Sequence, residues 1–156
     1  MILKNEAQLK SVLLSKIKSA VVQAEEKVHR TIDSCLQQFY NEFTPDEYIR
    51  TKQLLHSLVR SGVKQVGNGF EAEVYFDVGK LNYEQGVMPL QHTSEHGMYG
   101  WATWSNQTVL DVAMTSALPH GGYASGTAIW TESMNRMGNV LKLLEQELRK
   151  QGIPMK

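Results

Sequence analysis

A regular stripe of apolar residues near the start of the chain constrains its fold more than any other feature. Spacings of four, four, three, four, four, three and four residues separate its members, which are Leu13, Ile17, Val21, Ala24, Val28, Ile32, Cys35 and Phe39. This spacing is that of one face of an α-helix, and the charged residues of the segment lie away from it. The pattern predicts an amphipathic helix over residues 6–43, about 55 Å long.

A helix of this length is long for the domain that carries it. The chain has 156 residues, a natural size for one domain, 1–156, with a radius of gyration of about 15 Å. We therefore expect one end of the helix to extend beyond the domain, and part of that overhang to contact a partner chain.

Charge and cysteine content exclude several classes of protein. The 16 basic and 16 acidic residues balance, so no net field attracts the chain to nucleic acid or to a lipid surface. A single cysteine, Cys35, leaves no internal disulfide framework. No apolar run approaches the roughly 18 residues of a membrane span, and the first residues lack a secretory signal. We expect a soluble protein that recognises neither membrane nor specific nucleic acid.

A second amphipathic stripe closes the chain. Its spacings are four, three, four, three and four, and its members are Trp130, Met134, Met137, Leu141, Leu144 and Leu148. Gly152 and Pro154 provide a stop signal. This pattern predicts one helix over residues 127–151.

Shorter elements are predicted between the two helices. Thr44-Pro45-Asp46-Glu47 has the features of a helix start, so residues 45–58 form either a short helix or an extended arm. Gly67-Asn68-Gly69 separates two segments of strand character, which predicts a β-hairpin over residues 62–78. The expected fold class is α+β, with both long helices packed on a small antiparallel sheet.

Residues 79–126 have no sustained period and are predicted to be an irregular insertion, in which only Asn106–Ala117 could form a short helix. Irregular regions of this length are commonly functional or are ordered by a partner. Trp101 and Trp104 within it either fold back as a small core or anchor an interface.

Two incomplete catalytic patterns lie in the same region. His120-Gly121-Gly122 followed by Ser125 resembles an esterase oxyanion loop, but the serine lies one place late for the nucleophile motif. His92 and His96, with His120, could bind zinc, although no helix is evident around them. The simpler interpretation is that the histidines are ordinary loop residues and that the glycine-rich run is a flexible hinge before the last helix. Because no catalytic constellation is complete, we expect no enzyme activity, no metal and no cofactor.

The segment between the long helix and the first strand carries a family resemblance. Tyr40 is followed by a proline-containing turn and by Tyr48-Ile49-Arg50-Thr51, with Leu54 and Ser57 beyond. This order resembles the junction in small neck and tail-completion proteins of tailed bacteriophages. That family commonly has a glycine after this threonine, whereas this chain has Lys52.

Two later segments resemble the same family in the same order. Asn82-Tyr83-Glu84-Gln85-Gly86 is similar to the element that follows the strands in these proteins. Val109-Leu110-Asp111 through Pro119-His120-Gly121-Gly122, leading into Ile129-Trp130, is similar to the histidine-glycine loop before the terminal helix of phage and prophage members.

The resemblance implies an assembly role without catalysis. Such proteins form rings that complete the neck or the head-proximal end of the tail. The implied location is the virion, after synthesis in the bacterial host cytoplasm, and the implied partners are copies of the chain itself and neighbouring neck or tail proteins. The residues expected at structural joints and interfaces are Tyr40, Tyr48, Arg50, Thr51, Tyr83, Glu84, Trp101, Trp104, His120 and Trp130. A further alternative is an adaptor whose irregular region folds on a host partner.

Overall fold

The computed structural model of the chain is α+β, as predicted, and describes residues 5–42, 52–81, 87–89, 101–103, 106–115 and 127–155. Its helices are α1 (Glu6–Glu42), α2 (Gln53–Ser57), α3 (Asn106–Thr115), α4 (Ile129–Met137) and α5 (Val140–Lys150). Its strands are β1 (Leu58–Arg60), β2 (Lys64–Val66), β3 (Gly69–Glu71), β4 (Val74–Phe76), β5 (Val87–Pro89) and β6 (Trp101–Thr103).

Helix α1 confirms the long helix predicted from the apolar stripe and contains 37 residues. No glycine or proline interrupts it. Asn5 caps its start, because the side-chain oxygen of Asn5 accepts a hydrogen bond from the backbone N–H of Gln8 at 2.9 Å. Ala24, Ile32 and Cys35 of the stripe are buried, whereas Leu13 is exposed.

Helices α4 and α5 run antiparallel to α1. Arg136 of α4 donates a hydrogen bond to Gln38, and further along α1 Lys27 donates one to Glu147 of α5. Gln38 and Lys27 are eleven residues apart on α1, and their partners Arg136 and Glu147 are also eleven residues apart. The segment formed by α4 and α5 therefore follows α1 along about 16 Å of its length.

The prediction of one unbroken helix over residues 127–151 is wrong. Helix α4 ends at Met137, and Gly138 has φ 66° and ψ −140°, a backbone conformation that is essentially restricted to glycine. The side-chain oxygen of Asn139 then accepts hydrogen bonds from the N–H groups of Leu141 and Lys142, at 2.9 and 3.2 Å, and so caps a new helix.

The predicted hairpin is present only around its turn. Strands β2 and β3 pair antiparallel, with Val66 opposite Gly69, and Gly67 at the turn has φ 57°. The expected second strand, however, is divided at Ala72 and Glu73. Beyond that point β4 pairs with β1, with Val59 opposite Tyr75.

Ser61 holds the corner at which the chain changes partner strands. Its N–H donates to the carbonyl oxygen of Glu73 at 2.9 Å, and its hydroxyl oxygen accepts from the N–H of Glu73 at 2.8 Å. The predicted helix or arm over residues 45–58 ends one residue too late, because Leu58 is the first residue of β1. Within the described residues 52–58, only α2 is helical.

Lys52 lies directly before α2 and has φ 57° and ψ 21°, the left-handed conformation. It occupies the position at which the resembling phage proteins commonly carry glycine. The helix-start signal at residues 44–47 lies outside the described residues.

Part of the region predicted to be irregular has regular structure. Strands β5 and β6 pair antiparallel, with Pro89 opposite Trp101. Helix α3 confirms the helical possibility that begins at Asn106, and the Asn106 side chain donates hydrogen bonds to the carbonyl oxygens of Leu81 and, at 3.4 Å, Val78. Val78–Lys80 form a single 3₁₀ turn.

The core lies where α1, α2, α3 and α4 meet the strand β1. Leu36 and Ile129 are completely buried within it, so the second half of α1 and the start of α4 contribute its centre. The buried members of this cluster are Ile32, Cys35, Leu36, Leu54, Leu58, Leu81, Leu110, Met114 and Ile129.

Candidate assembly surfaces

The first turns of α1 extend beyond the helices that pack on its later part. Every residue from 5 to 11 is exposed, and the side chains of Leu9 and Leu13 are 52% and 43% exposed. Leu9 and Leu13 continue, at helical spacing, the face that buries Ala20 and Ala24 further along the helix. We call residues 6–18 the overhang. Leu9 and Leu13 remain substantially exposed, whereas Lys16 and Ile17 near the end of the overhang are half-buried and Lys16 lies beside Gly152 of the C-terminal segment.

Charge is distributed unevenly along α1, although the whole chain is neutral. Residues 6–24 contain three lysines, Lys10, Lys16 and Lys18, and one acid, Glu6, which leaves two positive charges in excess. Residues 25–42 contain four acids and two bases, which leaves two negative charges in excess. In the described part of the chain, no carboxylate forms an ion pair with the three overhang lysines.

A second exposed apolar surface lies on α4. Trp130 and Met134 are one helical turn apart and are 45% and 39% exposed. The residues of the stripe from Trp130 to Leu148 are therefore not all buried. On the core side of α4, Ile129 and Ser133 are completely buried, and Met137 packs against the core.

Carboxylates border this surface, which we call the α4 face. Glu132, between the two apolar residues in sequence, accepts a hydrogen bond from Arg136 at 2.6 Å. Arg136 also donates to Gln38 of α1, and Gln38 donates to Glu42. A network of polar side chains thus connects the α4 face to the acidic end of α1.

Glu147 attaches α5 to α1. Its side chain is only 4% exposed, and its carboxylate accepts hydrogen bonds from Lys27 of α1 and, at 2.9 Å, from Lys150. The hydrogen bond from Lys27, followed by that from Lys150, lowers the pKa of Glu147 despite its burial. The same carboxylate raises the pKa of Lys150.

A second buried carboxylate, Glu25, positions the strands. Its oxygen accepts a hydrogen bond from the backbone N–H of Gly62 at 2.9 Å. Gly62 lies between β1 and β2 and has φ 72°, which a residue with a side chain rarely adopts. Glu25 therefore holds the turn between these strands against α1.

Only two of the residues predicted at interfaces have described side chains. Tyr40 is half-buried and packs against the core, with its ring edge-on to Phe39 at 5.4 Å between centroids and an interplanar angle of 66°. Its described contacts are those of a packing residue. Trp130, in contrast, is available for contact with another molecule.

The other predicted interface residues have no described side chain. For Trp101, the structure describes the backbone in β6 alone. Those outside the described residues are Tyr48, Arg50, Thr51, Tyr83, Glu84, Trp104 and His120.

The alternative catalytic residues, His92, His96, His120 and Ser125, also lie outside the described residues. Among the residues that the structure describes, no group of three or more histidine, cysteine, aspartate or glutamate side chains could hold a metal ion. No helix among these residues is both long enough and apolar enough to span a membrane.

Sequence reasoning missed Glu25 and Glu147. Glu25 follows Ala24 of the apolar stripe directly, and Glu147 lies three residues after Leu144 and one before Leu148. A carboxylate next to an apolar stripe is the only signal available, and it does not distinguish a buried, paired glutamate from one that points into solvent.

Comparison with known proteins adds one match. The model of the YomN family matches residues 5–150 of the chain. Neither the curated proteins nor the solved structures include a match.

Proposed function

We propose a structural role in a phage particle, from the premise that this chain belongs to the YomN family, a Bacillus prophage-type protein family. In this proposal the protein is a subunit of a ring at the neck or at the head-proximal end of the tail, and it catalyses no reaction. It is made in the host cytoplasm and is incorporated into the virion. Its partners are copies of itself and the adjacent neck or tail proteins.

The observation that carries this proposal is the overhang of α1. A helix that exposes Leu9 and Leu13 beyond its own domain leaves apolar area in water, and burial of such area against another molecule stabilises an assembly. Isolated helical turns are also marginally stable by themselves. A permanent partner would provide the missing contacts, as in a subunit of a multi-protein joint.

Deletion of the gene from an inducible prophage tests the proposal. After induction, we expect the mutant to accumulate filled heads and separate tails in electron micrographs, and to lose most infectious particles. A plasmid copy of the wild-type gene should restore both. The protein should also be found by mass spectrometry in purified wild-type virions, in a constant ratio to the major tail protein.

Two results would contradict the structural role. One is an unchanged yield of joined particles in the deletion strain, and the other is the absence of the protein from purified virions. Complementation with Ser125→Ala separates this role from the hydrolase alternative, because the structural proposal predicts full restoration. Stoichiometric zinc in the purified protein would favour the metalloenzyme alternative instead.

A further inference from the structure

We propose that copies of this chain associate head to tail, with the overhang of one copy seated on the α4 face of the next. The inference deepens the proposed function, on which it rests, by naming the two surfaces that join neighbouring subunits. Each surface has a pair of exposed apolar side chains, Leu9 with Leu13 on the overhang, and Trp130 with Met134 on the α4 face.

The charges around the two surfaces are complementary. Lys10, Lys16 and Lys18 surround the overhang and have no ion pair within the described chain. At the α4 face Glu132 is paired with Arg136, whereas Glu42 has no ion pair among the described residues and lies in the half of α1 that has an excess of acids. Opposite charges at the rims of two apolar patches steer the patches together and disfavour contact between two like surfaces.

The separation of the surfaces requires that the contact be made between chains. The α4 face is connected to α1 through Gln38, which is 29 residues from Leu9 on the same helix, or about 44 Å. A continuous helix cannot fold back to bring these positions together. A second copy, however, can offer its α4 face to the overhang of the first.

This arrangement has a defined symmetry. Because the two surfaces differ, a pair of copies retains one free α4 face on the first copy and one free overhang on the second, and further copies can add. Such a heterologous contact closes into a ring if the rotation between copies allows it, and otherwise extends as a filament. An overhang that paired with another overhang would instead stop at a dimer.

Sedimentation velocity of two paired variants tests the contact. The first variant combines Leu9→Gln with Leu13→Gln, and the second combines Trp130→Gln with Met134→Gln. The wild-type chain is expected to form species larger than dimers as its concentration rises. Each variant alone should associate at least about tenfold more weakly. Their mixture should form dimers with one copy of each variant and stop there.

Val66→Gln is the matched control, because Val66 is an exposed apolar residue at the β-hairpin, outside both surfaces. It should leave association unchanged. Circular dichroism and urea unfolding should show all variants folded, since every substituted side chain is substantially exposed. Higher salt should weaken wild-type association, because it screens the charges at the rims.

Three results would overturn the inference. They are a wild-type chain that stays monomeric at every accessible concentration, variants that associate as the wild type does, and a mixture that forms no mixed dimer. None of these results bears on whether the protein is present in virions, so the structural role can stand when this contact fails. If the protein were absent from virions, the structural role would be contradicted, but the sedimentation results on association in solution would still stand.

Discussion

Glu147 of α5 accepts a hydrogen bond from Lys27 of α1 across a separation of 120 residues in the chain. Lys150 approaches the same carboxylate from the final turn of α5. This buried carboxylate, shared between two lysines, holds the last helix against the first. The stability of that packing is therefore coupled to pH.

Replacement of Glu147 by Gln should remove the pH-dependent part of this contact. The folded-state pKa of Glu147 lies below its ordinary value of 4.5. The ionised carboxylate therefore contributes stability that is fully present above the unfolded pKa and is lost as pH falls through the folded pKa. At neutral pH we expect Glu147→Gln to lower the free energy of unfolding by about 1–2 kcal/mol.

Urea unfolding at several pH values between about 7 and about 3 would measure this difference, which should shrink as the pH falls. The matched control is Glu145→Gln, since Glu145 forms an exposed ion pair with Arg149. Its effect should stay within about 0.5 kcal/mol. A Glu147→Gln effect that is the same at every pH would contradict the assignment.

Two leucines of α1 should differ sharply on truncation. Leu36 is completely buried, whereas Leu9 is 52% exposed. Leu36→Ala removes packed side-chain atoms and leaves a cavity, so we expect a loss of about 2–5 kcal/mol in the free energy of unfolding. Leu9→Ala in dilute monomeric protein should cost less than about 1 kcal/mol. Similar losses from both substitutions, measured by urea denaturation, would place the overhang inside the packed core.

Glu25 and Glu26 are adjacent on α1 but should respond differently to substitution. Glu25→Ala removes the acceptor of the Gly62 N–H, and we expect it to lower the free energy of unfolding by about 1–3 kcal/mol. Glu26→Ala removes an exposed ion pair with Arg30 and should cost less than about 1 kcal/mol. Amide hydrogen exchange at Gly62 should become faster only in the Glu25 variant.

Gly138→Ala should destabilise the chain at the break between α4 and α5. The φ of 66° and ψ of −140° at Gly138 disfavour any side chain, and we expect a cost of about 1–3 kcal/mol in the free energy of unfolding. Gly69→Ala is the control, because an added Cβ there meets its nearest atom at 3.8 Å and the backbone φ is not in the left-handed region. A stabilised Gly138→Ala variant would instead indicate that one continuous helix is accessible.

Lys52→Gly should stabilise the chain. The left-handed conformation costs a non-glycine residue about 1–2 kcal/mol, and the greater flexibility of glycine in the unfolded chain offsets part of that gain. We expect a net increase of about 0.5–1 kcal/mol in the free energy of unfolding. Lys80→Gly, at the end of the 3₁₀ turn, lacks the left-handed backbone and should not stabilise. Equal losses in both variants would refute the explanation.

Local sequence patterns were sufficient for the elements that depend on nearby residues. The apolar spacing from Leu13 to Phe39 predicted α1 because a helix repeats every 3.6 residues and no glycine or proline interrupts the segment. Gly67 marked the β2–β3 turn, and the possible helix at Asn106 was confirmed. The α+β class followed from the order of these elements.

The apolar stripe near the end of the chain shows what local spacing cannot predict. The spacing from Trp130 to Leu148 is the same whether one helix or two carry it, and a glycine within a helix costs only about 1 kcal/mol. Packing along α1 decided that the helix breaks at Gly138 and that Ile129, rather than Trp130, faces the core. The pattern identifies apolar residues but not the neighbour that covers each one.

The chain by itself therefore determined the long first helix, the tight turn at Gly67, and a zero net charge within which the two halves of α1 carry opposite charges. Only the tertiary structure decided that β4 pairs with β1, that Glu25 and Glu147 are buried with partners, and that Leu9 and Trp130 are left exposed. The physical reason is the separation in sequence between the residues that interact. Spacing and turn chemistry act between residues a few positions apart, whereas burial and ion pairing depend on groups such as Lys27 and Glu147, which only folding brings together.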